Sequence, residues 1–260
     1  MRHLCHKKTQ MKNRQELHEF LEMKAAQYEQ AFFLDTDPIS IPHSYKLKED
    51  QEISGFIAAT LAWGQRVTII RNAQSFLERM DNDPYSFVMN SSEDELVRFE
   101  GFVHRTFNAH DAMHFVLALR HVYKNHNGLE SLIASGEDAQ HGLAKLHEAF
   151  FEIPHETRTR KHVSNPLRGS SSKRLNMYLR WMVRGGEVDL GIWKNIPPAK
   201  LMLPLDVHTG NVSRKLGLLN RKQNDWKAVE EVTEALRKFD PKDPVKYDFA
   251  LFGLGVFENF

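Results

Sequence analysis

Residues 166–182, PLRGSSSKRLNMYLRWM, decide how the fold is read: a proline, a glycine and three serines pass directly into an apolar helical repeat. Leu175, Tyr178, Leu179 and Met182 fall at the i, i+3, i+4, i+7 spacing that gives a helix one apolar stripe. Lys173 and Arg174 stand at its start, against the helix field, because aligned peptide dipoles leave positive charge at a helix N-terminus. A lysine in that position is either a solvated surface residue or an amine put to chemical use. Gly169 and the serines Ser170, Ser171 and Ser172 have the composition of a turn whose free N–H groups hold an anion, a DNA phosphate being one candidate.

Outward from this stretch, apolar spacing stays helical and alternating stretches are scarce. The spacing predicts helices over Gln15–Phe32, Ser54–Trp63, Thr68–Met80, Asp111–Lys124, Ala139–Phe151, Pro197–Met202, Val207–Leu216 and Asp225–Phe239. Another is predicted after Asp243-Pro244, where Tyr247, Ala250, Leu251 and Leu254 repeat the stripe. The fold class is therefore all-α. Two stretches interrupt it. Residues 34–52, LDTDPISIPHSYKLKEDQE, carry two prolines and read as an extended crossing; residues 154–172, PHETRTRKHVSNPLRGSSS, read as a polar, basic, turn-rich loop on the surface or facing a phosphate.

The chain has 260 residues, 41% of them hydrophobic, enough for one large domain or two modest lobes. Its only cysteine, Cys5, excludes an intrachain disulfide, a four-cysteine zinc site and a cysteine-held iron–sulfur cluster. With no apolar run of membrane-spanning length and no signal-peptide pattern in MRHLCHKKTQ, a cytoplasmic protein without a membrane partner is expected. Net charge is only +1, yet it is unevenly placed. Between Pro154 and Gly186 there are eight cations (Arg158, Arg160, Lys161, Arg168, Lys173, Arg174, Arg180 and Arg184) and one acid, Glu156; from Asp81 to Glu100 acids dominate. A basic face and an acidic face are expected.

Downstream, residues 201–219 read LMLPLDVHTGNVSRKLGLL. Asp206 there suits an N-cap, and a carboxylate held at a helix start is also a placed base or a partner for developing positive charge. His208, Asn211 and Arg214 share that helix beginning, with Lys215 beside them. The 14 histidines include no HExxH pair and no evident carboxylate–histidine cluster, so neither a metal nor an organic cofactor is expected. GxGxxG, GxxxxGK[ST] and GxSxG are also absent, which removes the usual sequence support for nucleotide hydrolysis and serine hydrolase chemistry.

Together these motifs resemble the helix-hairpin-helix DNA glycosylase superfamily, the base-excision enzymes related to endonuclease III and 8-oxoguanine glycosylase. Leu167, Gly169, Lys173 and Asn176 match its hairpin, L-P-G-V-G-x-K-T-A-N; Pro204, Leu205, Asp206, His208, Leu216 and Gly217 match its P-V-D-T-H-x-x-R-x-x-x-R-L-G motif. Asp206 follows Lys173 by 33 residues, a spacing more like the archaeal 8-oxoguanine branch. Residues 56–73, FIAATLAWGQRVTIIRNA, are similar to a helix and turn ending in a DNA-facing glutamine, here Gln65, with Arg66 next to it. Ser170 and Ser171 replace the expected apolar residue and second glycine, and residues 184–204 form an insertion relative to endonuclease III. Taken whole, the chain looks most like an uncharacterised bacterial family with the segments DPISIPHSY, AATLAWGQR, KRLNMYLRWMVR and DPVKYDFALFGLG.

What the resemblance implies is concrete. The fold would be a two-lobed helical bundle with a cleft between its lobes, residues 1–53 plus 187–260 forming one lobe and 54–186 the other, or one continuous domain. Lys173 would be the Schiff-base nucleophile and Asp206 its catalytic partner, in a glycosylase with AP lyase activity on a damaged base such as an oxidised purine. Double-stranded DNA carrying the lesion would be the partner of a monomer, held by Gln65, Arg66, Arg168, Gly169, Ser170, Ser171, Ser172, Arg174, His208, Asn211 and Arg214. Trp63, Trp181 and Trp193 are candidates to stack on the extruded base, although aromatic residues at helical spacing also suit a core. The competing reading is a nucleic-acid-binding or scaffold protein that keeps the fold without the chemistry.

Overall fold

The computed structural model describes residues 14–258 and 260, and is mostly helical; Cys5 lies outside the described residues. The α-helices run in the order α1 Arg14–Tyr28, α2 Ser40–His43, α3 Lys48–Leu61, α4 Arg66–Glu78, α5 Pro84–Asn90, α6 Ala109–His126, α7 Gly128–Ala134, α8 Ala139–Phe150, α9 Lys173–Val183, α10 Val207–Lys215, α11 Trp226–Arg237 and α12 Tyr247–Val256. A two-residue antiparallel hairpin, β1 Val103–His104 with β2 Phe107–Asn108, precedes α6. No helix among the described residues is long and apolar enough to cross a membrane.

Short acidic and amide side chains start several helices by accepting backbone N–H groups that the first turn leaves unpaired. Asn108 and Asp111 form a reciprocal capping box on α6, Asp138 caps α8 through His141 N–H, and Asp225 caps α11 through Ala228 N–H. Asp206 and Thr209 form the corresponding box on α10. Loss of one such cap costs about 1 kcal/mol.

Buried apolar side chains form two clusters. The larger takes in residues 28–201 together with Val245 and Phe249, and includes Phe56, Phe115, Phe150, Tyr178 and Trp193. The smaller joins Leu21 and Ala25 of α1 to residues 203–254, including Val212 of α10, Val229 and Val232 of α11, and Leu251 and Leu254 of α12. α1 lies so close along α12 that a Cβ at Gly253 would stand 2.1 Å from a ring carbon of Tyr28.

Two local expectations are corrected. Residues 34–52 are not an extended crossing: Ala31–Asp35 forms a 3-10 turn, Ser40–His43 is helical, and α3 already begins at Lys48. Pro42 is tolerated because it sits in the first turn of α2, where its missing N–H costs no intrahelical bond. Pro197–Met202 makes only a 3-10 turn over Pro198–Lys200, with Pro197 at its N-cap and Pro198 as its first residue. Residues 154–172 do reach the surface, with Lys161, Leu167, Arg168 and Gly169 exposed, while Thr159, His162, Val163, Pro166 and Ser172 are buried beneath.

The basic face is also corrected. Arg158 pairs with Asp111 at 2.7 Å, and Arg160 bonds to the imidazoles of His147 and His155, at 3.2 Å each. Arg174 donates to the carbonyls of Thr60 and His162. Arg180 pairs with Asp189 and Asp248, while Arg184 meets Glu29, Asp189 and Asp243. These five of the eight cations thus answer internal acceptors, and a sixth, Lys173, faces Asp206. The acidic stretch does remain at the surface, with Asp81, Asp83, Glu93, Asp94 and Glu100 exposed.

Candidate functional site

The turn before α9 is built differently from a glycine hairpin. Gly169 takes a left-handed φ of 87°, for which a residue without Cβ is suited, and its carbonyl accepts Trp226 N–H at 3.1 Å. Ser170 bridges to Asp225, so the turn is fastened to the start of α11. The Ser170 hydroxyl accepts Ser172 N–H at 3.1 Å, Ser172 itself adopts φ 46°, and its hydroxyl accepts from Ser164 at 3.0 Å. Ser171 is held through its carbonyl, which accepts Asn176 Nδ2 at 3.1 Å. Serine hydroxyls therefore supply the local bonds that shape the turn, and Ser172 caps no N–H of α9 with its side chain.

Lys173 is the first residue of α9. With Met177, Arg180 and Trp181 it lies on one helical face, at i, i+4, i+7 and i+8, opposed to the stripe of Leu175, Tyr178, Leu179 and Met182 that enters the core. All four line one pocket, joined by Asp37, Arg66, Asp206, Asp248 and Phe252. Lys173 Nζ lies 3.9 Å from Asp206 Oδ2, with both side chains about one quarter exposed, and 3.7 Å from the Met177 sulfur. The other oxygen of Asp206, Oδ1, accepts Thr209 N–H at 3.0 Å.

Behind this pair lies a layer of buried charge. Arg180 bonds to Asp248 and, at 3.2 Å, to Asp189, and its guanidinium lies 4.3 Å from the Phe249 ring centre. Burial pushes the Asp248 carboxyl up to about 6, with Asp206 adding to the rise and Arg180 and Lys173 opposing it. Burial likewise raises Asp37, against its hydrogen bond from Ile39 N–H. The pocket thus sets one accessible amine–carboxylate pair over acids held toward their neutral form, beside the aromatic walls Phe33, Trp181 and Phe252.

The remaining sequence candidates divide clearly. Arg66 lines the pocket, its guanidinium 5.1 Å from the Phe252 ring centre, and Gln65 is exposed at the N-cap of α4. Arg168 and Gly169 are exposed on the turn, and His208 and Asn211 are exposed on α10. Two of the cations are engaged by the protein itself. Arg174 is turned inward beneath Trp63, and burial lowers its guanidinium to about 10. Arg214 bonds to the carbonyls of Arg221 and Lys222 and to Asn224 Oδ1, while Asn224 Nδ2 donates to the Asp206 carbonyl. Arg214 therefore braces the cap that positions Asp206.

Of the three tryptophans, Trp181 alone lines the pocket. It is fully buried, and its indole N–H has no partner among the described residues. Trp193 is a core residue instead, donating to Glu52 Oε1 at 2.8 Å and standing edge-on to Tyr178. Trp63 packs among Arg105, Arg174, His104 and His162.

Asp37, Asp248 and Phe252 are pocket residues the sequence reading does not name, and Arg180 enters it only as one cation of the basic face. Asp248 and Phe252 are four apart on α12, away from its apolar stripe, which was the available signal. The absence of a carboxylate–histidine cluster is corrected too: His121, His126 and Glu152 come together at the ends of α6 and α8.

Residues 37–257 match the model of a family described as "Protein of unknown function (DUF2400)". The chain belongs to this family. The matched span of DUF2400 begins at Asp37 and runs past Phe252, so it contains every pocket residue except Phe33. No curated protein and no solved structure matches the chain.

Proposed function

We propose that this DUF2400 member is a base-excision DNA glycosylase with AP lyase activity, of the helix-hairpin-helix type, working through a Schiff base on Lys173. The observation that carries the reading is the 3.9 Å approach of Lys173 Nζ and Asp206 Oδ2 at one shared pocket. The two residues come from different helices, and each belongs to a motif that resembles the superfamily's catalytic segments.

In this mechanism a damaged nucleotide, such as one bearing an oxidised purine, is flipped from the duplex into the pocket, which serves as the cleft between two lobes. Lys173 passes a proton to Asp206, and its neutral amine attacks the sugar C1′. The C1′–N bond to the base breaks, its electron pair leaves on the base, and the base recovers that proton from Asp206. The ionised Asp206 then faces the cationic sugar. A proton moves from the new C1′ amine to the ring oxygen, the furanose opens, and a C1′=N Schiff base remains. Removal of a C2′ proton expels the 3′ phosphate by β-elimination. Trp181 and Phe252 offer apolar walls to the base; in this reading Arg66 and the exposed Arg168 meet the backbone around it, and the exposed Gln65 fills the gap left by the flipped base.

The test is borohydride trapping on duplexes carrying defined lesions, with base release followed in parallel. A covalent adduct in the wild type that disappears in Lys173→Ala supports the assignment. Salt-dependent duplex binding with neither adduct nor base release would replace it with a non-catalytic nucleic-acid-binding role.

A further inference from the structure

Far along the chain from Lys173 and Asp206, two histidines near the end of α6 and a glutamate just beyond α8 converge. Glu152 Oε2 lies 2.6 Å from His121 Nε2 and 3.4 Å from His126 Nε2, and the three candidate ligand atoms all lie within 4.8 Å of one another. None of the three lines the pocket of Lys173 and Asp206. We propose that His121, His126 and Glu152 bind one divalent transition-metal ion of the zinc class.

The donor set matches that chemistry. Imidazole nitrogen suits zinc and its neighbours, and two histidines with one carboxylate form a recurrent three-ligand set that leaves a fourth position for water. Bonds of about 2.0–2.2 Å in tetrahedral geometry hold ligand atoms roughly 3.3 Å apart. His121 and Glu152 reach that spacing by opening slightly, and His126 already stands at 3.4 Å from the carboxylate. Both histidine side chains are largely covered, at 21% and 26% exposure, whereas Glu152 is half exposed at 49%. The imidazoles are thereby held in place while the carboxylate side stays open for the ion to enter.

A neighbouring amide orients the first ligand. Asn125 Nδ2 lies 2.9 Å from His121 Nδ1 and 3.0 Å from the His121 carbonyl, which fixes the ring with Nε2 toward Glu152; in the ion-free protein Nδ1 accepts from the amide and Nε2 donates its proton to Glu152, so an ion binding at Nε2 displaces that proton. An ion at this site ties the end of α6 to the chain leaving α8, the segment that leads on to the turn before Lys173.

The experiment is calorimetric titration of the untagged full chain, stripped with chelator, using zinc chloride, together with the visible spectrum of the cobalt-loaded protein. His3, Cys5 and His6 offer other donors in the sequence, so variants decide the outcome. Expected are one saturable ion per chain, loss of that binding in the His121→Ala/His126→Ala double variant with helix content retained, and at least about tenfold weaker binding in Glu152→Gln. No saturable binding by the wild type, or binding undiminished in both variants, overturns the proposal.

Discussion

Asp206 divides its carboxylate between Thr209 and Lys173: Oδ1 accepts the Thr209 N–H at 3.0 Å, and Oδ2 faces Lys173 Nζ at 3.9 Å. Capping a helix and pairing with an amine are usually offered as alternatives for such an aspartate. Here the cap holds Oδ2 in place, because the Thr209 bond restricts the carboxylate torsion. Helix start and site geometry are thus one arrangement.

That division separates stability from activity by substitution. Asn caps a helix about as well as Asp, so Asp206→Asn is expected to keep folding free energy within about 0.5 kcal/mol of the wild type. It removes the charge and the proton acceptor facing Lys173, and under the glycosylase proposal single-turnover base release should fall by on the order of a hundredfold or more. Asp206→Ala loses both functions and should cost about 1 kcal/mol in denaturant unfolding as well. Equal activity in Asp206→Asn and wild type would remove Asp206 from the chemistry.

Much of this was readable in the sequence because it is local. Lys173 begins α9 and Asp206 caps α10 where turn composition and apolar spacing place them. The rest depended on partners far along the chain. Counting cations between Pro154 and Gly186 could not show that Arg158 answers Asp111 or that Arg180 answers Asp248. Asp37 and Asp248 carry no local mark of a site, since only the packing of α9 against their segments brings them to the pocket. His121, His126 and Glu152 stayed hidden for the same reason, as their ligand spacing spans two helices.

Asp248 gives a pH signature. Its folded value, pushed up to about 6 mainly by burial, exceeds the value near 4 of an unfolded aspartate. The folded state therefore binds the extra proton between these limits, and the contribution of Asp248 to stability is lost as pH rises from about 4 to about 6. Asp248→Asn does not titrate. Unfolding free energies of wild type and variant, measured across pH 4–7, should differ by an amount that moves against the wild type up to about pH 6 and then stays flat. A difference that moves in its favour would mean that Arg180 outweighs burial.

If the chain binds DNA as proposed, charge placement predicts which cations the duplex feels. Arg168 is exposed on the turn, whereas Arg174 is covered and bonded to two carbonyls. Under the glycosylase reading, Arg168→Ala should lower the slope of log affinity against log salt by about one and weaken binding regardless of sequence. Arg174→Lys should leave that slope unchanged and act on stability instead, because a lysine cannot reproduce the guanidinium's two divergent bonds or its stacking on Trp63. Equal slopes for Arg168→Ala and wild type would place the duplex elsewhere.

The contact between α1 and α12 offers a test of packing that is independent of function. Gly253 is helical, so an alanine there meets no backbone obstacle and gains helix propensity of nearly 1 kcal/mol. Its methyl group, however, would stand 2.1 to 2.4 Å from three carbons of the Tyr28 ring. That ring is itself restrained, being stacked on Phe257 and bonded through its hydroxyl to Glu258 at 2.5 Å. It can yield only by breaking those contacts or by moving α1 away from α12, and overpacking of this kind costs about 1–3 kcal/mol. Gly253→Ala is therefore expected to be destabilising despite the better helix former, with a lower denaturation midpoint. Pairing it with Tyr28→Ala should restore part of the loss, because the smaller side chain removes the clash, and the double-mutant cycle measures that recovery directly.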